Sequence, residues 1–125
     1  HSIWKFDLAK GTLSHVAGTG AKGYSGDGGP ALDATFNGPK GIAVGPQGNL
    51  FVVDTENQAI RKIDLKTKII TTIAGYGPQG QGYSGDGGDA RRAKLGRPHG
   101  LCVGKSGNVF IGDTLNHRVR MISAP

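Results

Sequence analysis

The chain has 125 residues, 23 of them glycine and six proline, with 36 % apolar residues and a formal net charge of +6. That composition excludes an architecture of long helices and favours many short strands joined by tight turns. The charge admits polyanions as partners, but the lysines and arginines are scattered without a block of like charge, and a solvated surface accounts for them. Cys102 is the only cysteine, which excludes an intrachain disulfide; within Gly100-Leu101-Cys102-Val103 it reads as a small buried apolar residue. There is no run of 18 apolar residues to predict a membrane-inserted helix and no signal peptide, and the sequence begins with His1, so it reads as a mature product or a segment of something longer.

Taken in chain order, Ile3-Trp4-Lys5-Phe6-Asp7-Leu8 and Leu13 to Gly18 are two strand signals. They return 57 residues later as Ile60-Arg61-Lys62-Ile63-Asp64-Leu65 and Ile70 to Gly75. The glycine-rich Gly23-Tyr24-Ser25-Gly26-Asp27-Gly28-Gly29 follows, and it returns unchanged 59 residues on as Gly82-Tyr83-Ser84-Gly85-Asp86-Gly87-Gly88. Repeats of this length indicate solenoids, propellers or arrays. Pro30 to Phe36 predicts a short helical turn with proline at its first position, and Asp89 to Leu95 predicts its counterpart with a capping aspartate.

Gly41-Ile42-Ala43-Val44 predicts a closely packed first strand, and Gly45-Pro46-Gln47-Gly48-Asn49 a turn. Leu50-Phe51-Val52-Val53 reads as a second strand buried on both faces. After Asp54-Thr55-Glu56-Asn57-Gln58, the third strand Ala59 to Asp64 carries Arg61 and Lys62 between its isoleucines and is expected to be more exposed. Ile69 to Ala74 is a fourth, β-branched strand. The next copy repeats three of these, ending at Arg118 to Ser123. Four antiparallel strands per repeat make a propeller blade, so the fold class is all-β, a β-propeller with about two blades in this chain. Residues 1–22 are expected to be the last two strands of one blade, 23–81 a complete blade with its linker, and 82–125 a linker with the first three strands of another. Too few blades are present to close a ring, so the chain reads as part of a longer propeller, with homotrimeric closure as the alternative.

Pro39-Lys40-Gly41-Ile42-Ala43-Val44, Gly48-Asn49-Leu50-Phe51-Val52-Val53-Asp54-Thr55, Asn57 and Ile60-Arg61-Lys62-Ile63 resemble the NHL repeat. So does Pro98-His99-Gly100-Leu101 through Asp113-Thr114-Leu115-Asn116-His117-Arg118-Val119-Arg120. The resemblance covers essentially the whole chain and implies a six-bladed ring, with linkers like those of bacterial and extracellular multi-repeat members. It implies an extracellular or periplasmic location and a non-enzymatic module that binds proteins or ligands or acts as a scaffold. Two alternatives accompany it, an RNA-binding propeller face and a metal-dependent lyase similar to peptidyl-hydroxyglycine amidating lyase, a zinc enzyme on this fold with similar Pro-His motifs.

The candidate residues divide by chemistry. Asp54 and Asp113 end second strands and suit turn-stabilising hydrogen bonds. Asp27 and Asp86 suggest calcium, but each linker offers one carboxylate where calcium takes six to eight oxygens, so a structural turn is the favoured reading. His99 is the one residue to which a zinc reading attaches, and Lys40 stands in its place in the other copy. No cofactor is expected otherwise. Lys40, Glu56, Asn57, Arg97, His99 and His117 are expected on one loop face as binding residues for a polar or anionic ligand or a protein. Nucleic acid is not favoured, because base-stacking aromatics are missing from these loops. Ser14 with His15, and Cys102 near His99, lack an orienting third group for nucleophilic catalysis.

Overall fold

The computed structural model describes residues His1–Pro125 as three antiparallel sheets in chain order. Strands β1 (Ile3–Asp7) and β2 (Thr12–Ala17) form the first. Strands β3 (Pro39–Val44), β4 (Asn49–Asp54), β5 (Ala59–Asp64) and β6 (Ile70–Ala74) form the second. Strands β7 (Gly100–Val103), β8 (Val109–Asp113) and β9 (Arg118–Ile122) form the third. Each strand pairs with its sequence neighbour, the up-and-down order of a propeller blade. The β3–β4 turn closes where the Gly45 N–H donates to the Asn49 carbonyl at 2.8 Å, with Gly48 at φ +74°. The two expected helical turns are 3-10 turns at Ala31–Asp33 and Ala90–Arg92. Pro30 precedes its turn instead of starting it, whereas the Asp89 side chain caps, accepting from the Arg91 N–H at 3.0 Å.

Strand β4 feeds two cores because alternate side chains leave opposite faces. Leu50 and Val52 pack with Phe36, Ile63 and Ile70 beside the first sheet, while Phe51 and Val53 pack with Ile60, with Leu95 of the second linker and with Val109 and Ile111 of the third sheet. Sheets two and three pack tightly at Gly41, where an added Cβ would sit 2.7 Å from the His99 carbonyl oxygen.

Three expectations are corrected. Strand β3 is packed on one side only: Ile42 is 51 % and Val44 66 % exposed, because their face looks toward the first sheet, which has just two strands. Strand β5 is buried, Arg61 included, because the guanidinium finds partners inside. Cys102 is exposed; alternation sends Leu101 and Val103 into the core and Cys102 to the opposite face with Phe110.

Candidate functional site

Each glycine-rich linker is folded around an arginine of a third strand. The Arg61 Nε and Nη2 donate to Asp27 Oδ1 at 3.1 and 2.9 Å, Nη2 to the Ser25 carbonyl at 2.9 Å, and Nη1 to Asp54 Oδ2 and the Thr35 carbonyl, both at 3.3 Å. The rings of Tyr24 and Phe36 flank the guanidinium. Arg120 repeats this with Asp86, Ser84, Lys94 and Asp113. A guanidinium therefore occupies the position that a calcium ion would take at Asp27 and Asp86. Asp54 is fully buried; burial raises its pKa, opposed by hydrogen bonds from the Asn57 amide, the Asn37 N–H and Arg61.

The expected loop-face residues separate into two groups. Asn57 is buried, its amide donating to Asp54 Oδ2 and to the Gly23 carbonyl, each at 2.8 Å, so it belongs to the clasp and not to an open face. Lys40, Glu56, Arg97 and His99 do meet, at the rim between the second and third sheets. The Arg97 Nη2 and Nε donate to Glu56 at 2.5 and 3.1 Å, and the Lys40 ammonium lies 4.0 Å from the same carboxylate. Arg97 takes φ +43°, and its N–H donates to Gln58 Oε1 at 2.6 Å, while the Thr55 hydroxyl donates to the Pro98 carbonyl at 2.8 Å. The hydrogen bond from Arg97 holds the Glu56 carboxyl below its ordinary pKa, with the charges of Arg97 and Lys40 acting in the same direction.

His99 is engaged at both ring nitrogens. Lys40 Nζ stands 3.1 Å from Nε2, and Nδ1 is 3.0 Å from Thr114 Oγ1. With the ammonium donating to Nε2, the neutral ring carries its proton on Nδ1 and donates to Thr114. Catalytic zinc takes three protein ligands plus a water. No three His, Cys, Asp or Glu side chains converge, and a cation already faces the nitrogen that would bind the metal, so these residues do not fit a zinc centre. His117 lies apart from this cluster, exposed at φ +54° after the Thr114–Asn116 turn. Its counterpart Gln58 accepts from Arg97, and its counterpart His1 accepts through Nδ1 from the Gly38 N–H at 3.1 Å, so the position serves contacts from one sheet to the next. Thr55, Gln58 and Thr114 were not singled out from sequence; their turns repeat, but their partners lie across a junction of sheets.

The Teneurin NHL domain pattern matches residues 8–80, and the NHL repeat pattern matches residues 95–121. The chain belongs to the NHL-repeat family. NHL repeat-containing protein 2 of Gallus gallus is 36 % identical over 99 residues, 79 % of this chain and 13 % of that protein. Teneurin-1 of Mus musculus is 32 % identical over 103 residues, 74 % of this chain and 4 % of that protein. The chain thus spans a small part of the length of these curated relatives. Among solved structures, a protein of unknown function from Bacteroides thetaiotaomicron superposes with a TM-score of 0.81 at 23 % identity, covering 96 % of this chain and 29 % of that one. An auxiliary nutrient binding protein from the same organism superposes with a TM-score of 0.72 at 27 % identity, covering 96 % of this chain and 31 % of that one. This NHL chain is all-β and built of propeller-type sheets, and no helix in it is long and apolar enough to cross a membrane.

Proposed function

We propose that this NHL chain is a binding module whose rim between the second and third sheets recognises an acidic protein loop. The observation that carries the reading is the convergence of Lys40, from the second sheet, and Arg97, from the turn leading into the third, on the single carboxylate of Glu56, with His99 against Lys40. Two cations against one anion leave the half-exposed cluster with an excess positive charge. A partner carboxylate approaching Lys40 gains a charge-assisted hydrogen bond without breaking the bidentate Arg97–Glu56 pair. The rim is preformed, since Gln58 and Thr55 fix the backbone of Arg97 and Pro98. The description of one structural relative as a binding protein agrees in kind with this role. A lyase centred on His99 finds no support, because both ring nitrogens are engaged by Lys40 and Thr114. RNA recognition is disfavoured because no phenylalanine, tyrosine or tryptophan stands among these residues and the His99 ring is tied at both nitrogens by Lys40 and Thr114.

Titration of the isotope-labelled chain with a tetraglutamate peptide at low salt tests the proposal. Backbone shifts are expected at Lys40, Arg97 and His99. The affinity should fall as salt rises and fall severalfold in Lys40→Gln. Shifts confined to other surfaces, or an unchanged affinity in Lys40→Gln, would sink it.

A further inference from the structure

Lys40 and His99 occupy the same position of two consecutive repeats, and the fold brings their side chains face to face. Gly41 leaves no room for a Cβ against the His99 carbonyl, so the second and third sheets meet where β3 and β7 begin. The half-exposed Lys40 ammonium is thereby placed 3.1 Å from His99 Nε2. The ring is fixed from its other side. The Thr114 hydroxyl donates to the Gly112 carbonyl at 3.4 Å, which leaves its oxygen to accept from Nδ1–H at 3.0 Å. In the neutral ring Nε2 is therefore a bare acceptor, and the ammonium fills it.

Protonation of Nε2 turns this contact from attraction into conflict. Two donors, each carrying positive charge, then face each other at hydrogen-bond distance, and neither has an acceptor. Glu56, from the turn after β4, does not serve both: Arg97 already holds its two oxygens, and Lys40 stands 4.0 Å away. The other groups packed around the pair add no second carboxylate. Arg97 brings further positive charge from the turn before β7, and His1 lies on the side of the first sheet, against Gly38. From the end of β8 comes the uncharged Thr114, while Asp113 is turned inward onto Arg120.

We infer that the rim holds a ligand carboxylate between Lys40 Nζ and a protonated His99 Nε2, and that binding takes up one proton from the solvent. The inference rests on the reading of the rim as a site for an acidic protein loop. A carboxylate has one oxygen for each donor, so its arrival removes the conflict that protonation creates and gains a charge-assisted hydrogen bond at both ends. Against the neutral ring, the same ligand has to compete with His99 for the ammonium. The protonated form therefore binds more tightly, and linkage fixes the sign: affinity rises as pH falls, and binding in turn raises the proton affinity of His99. Imidazole changes charge between pH 5 and 8, whereas lysine and arginine keep theirs throughout that window. Mild acidification thus strengthens the site without altering the Arg97–Glu56 pair.

Calorimetric titration of the chain with N-acetylated tetraglutamate at low salt tests the inference, run between about pH 8 and pH 5.5, where the peptide carboxylates stay largely ionised. Two buffers of different ionisation enthalpy are used at each pH. Binding should be about fivefold or more tighter at the acid end, and its heat should depend on the buffer in the sense of proton uptake. His99→Gln, which keeps an acceptor for Lys40 but does not titrate, should lose both the pH slope and the uptake. His1→Gln should keep both. Absence of binding at every pH overturns the rim as a site and this inference with it. Binding without a pH slope or without proton uptake overturns the inference alone, as does a slope that survives in His99→Gln.

Discussion

Arg61 directs all three guanidinium nitrogens at groups brought from three separate segments, and it does so with no exposed surface. Removing it would leave Asp54 buried beside unfilled space and release the Asp27 linker. Breaking a buried pair by deleting one partner costs about 3–5 kcal/mol, and Arg61→Ala should fall in that range by urea unfolding at neutral pH. Arg120→Ala should cost less, because Asp86 and the Arg120 edge face water and solvent screens their attraction. Equal losses in the two variants would mean that burial does not set the strength of the clasp. The sequence displayed the aspartates and arginines in plain repeat, yet two basic residues in one strand read as exposure. What escaped was the pairing: Asp27 to Arg61 and Asp86 to Arg120 share a separation of 34 residues, a spacing that only a folded linker explains.

Strands are where the sequence was most legible, since β-branched runs bounded by glycine and proline mark β3 to β6 within a residue or two of their observed ends. The burial of individual faces was less so. Alternation tells which side chains share a face, as in the two cores fed by β4, but not what stands opposite that face. Ile42 and Ile63 make this concrete. Both are strand isoleucines of the second sheet, but Ile63 is fully buried among Phe36, Leu50 and Ile70, while Ile42 is half exposed. Ile63→Ala should destabilise the dilute chain by about 2–5 kcal/mol, the cost of a buried isoleucine cavity. Ile42→Ala should cost under about 1 kcal/mol at the same concentration, since much of the side chain is already in water. Parity between them in denaturant midpoints would show that the β3 face is covered in solution.

The whole molecule is a row of three sheets in which each touches only its neighbours, so stability accumulates along the row as in other repeat architectures. The second sheet has a partner on both faces; the first and third have one each and end in open strand edges at β1 and β9. The site inherits this gradient: Lys40 and Glu56 are held by the sheet packed on both sides, and Arg97 and His99 by the turn leading into the third sheet, fastened through Gln58 and Thr55. Local opening free energies follow buried contacts and backbone pairing. Native-state hydrogen exchange in dilute solution should therefore find the slowest amides in β4 and β5, with their protection approaching the global value, and intermediate ones in β8. The fastest strand amides should lie in β1 and β2, where Trp4, Phe6 and Leu13 are all more than half exposed. Uniform protection across the nine strands would contradict the gradient, because a row of sheets with exposed end faces then could not be opening from its ends.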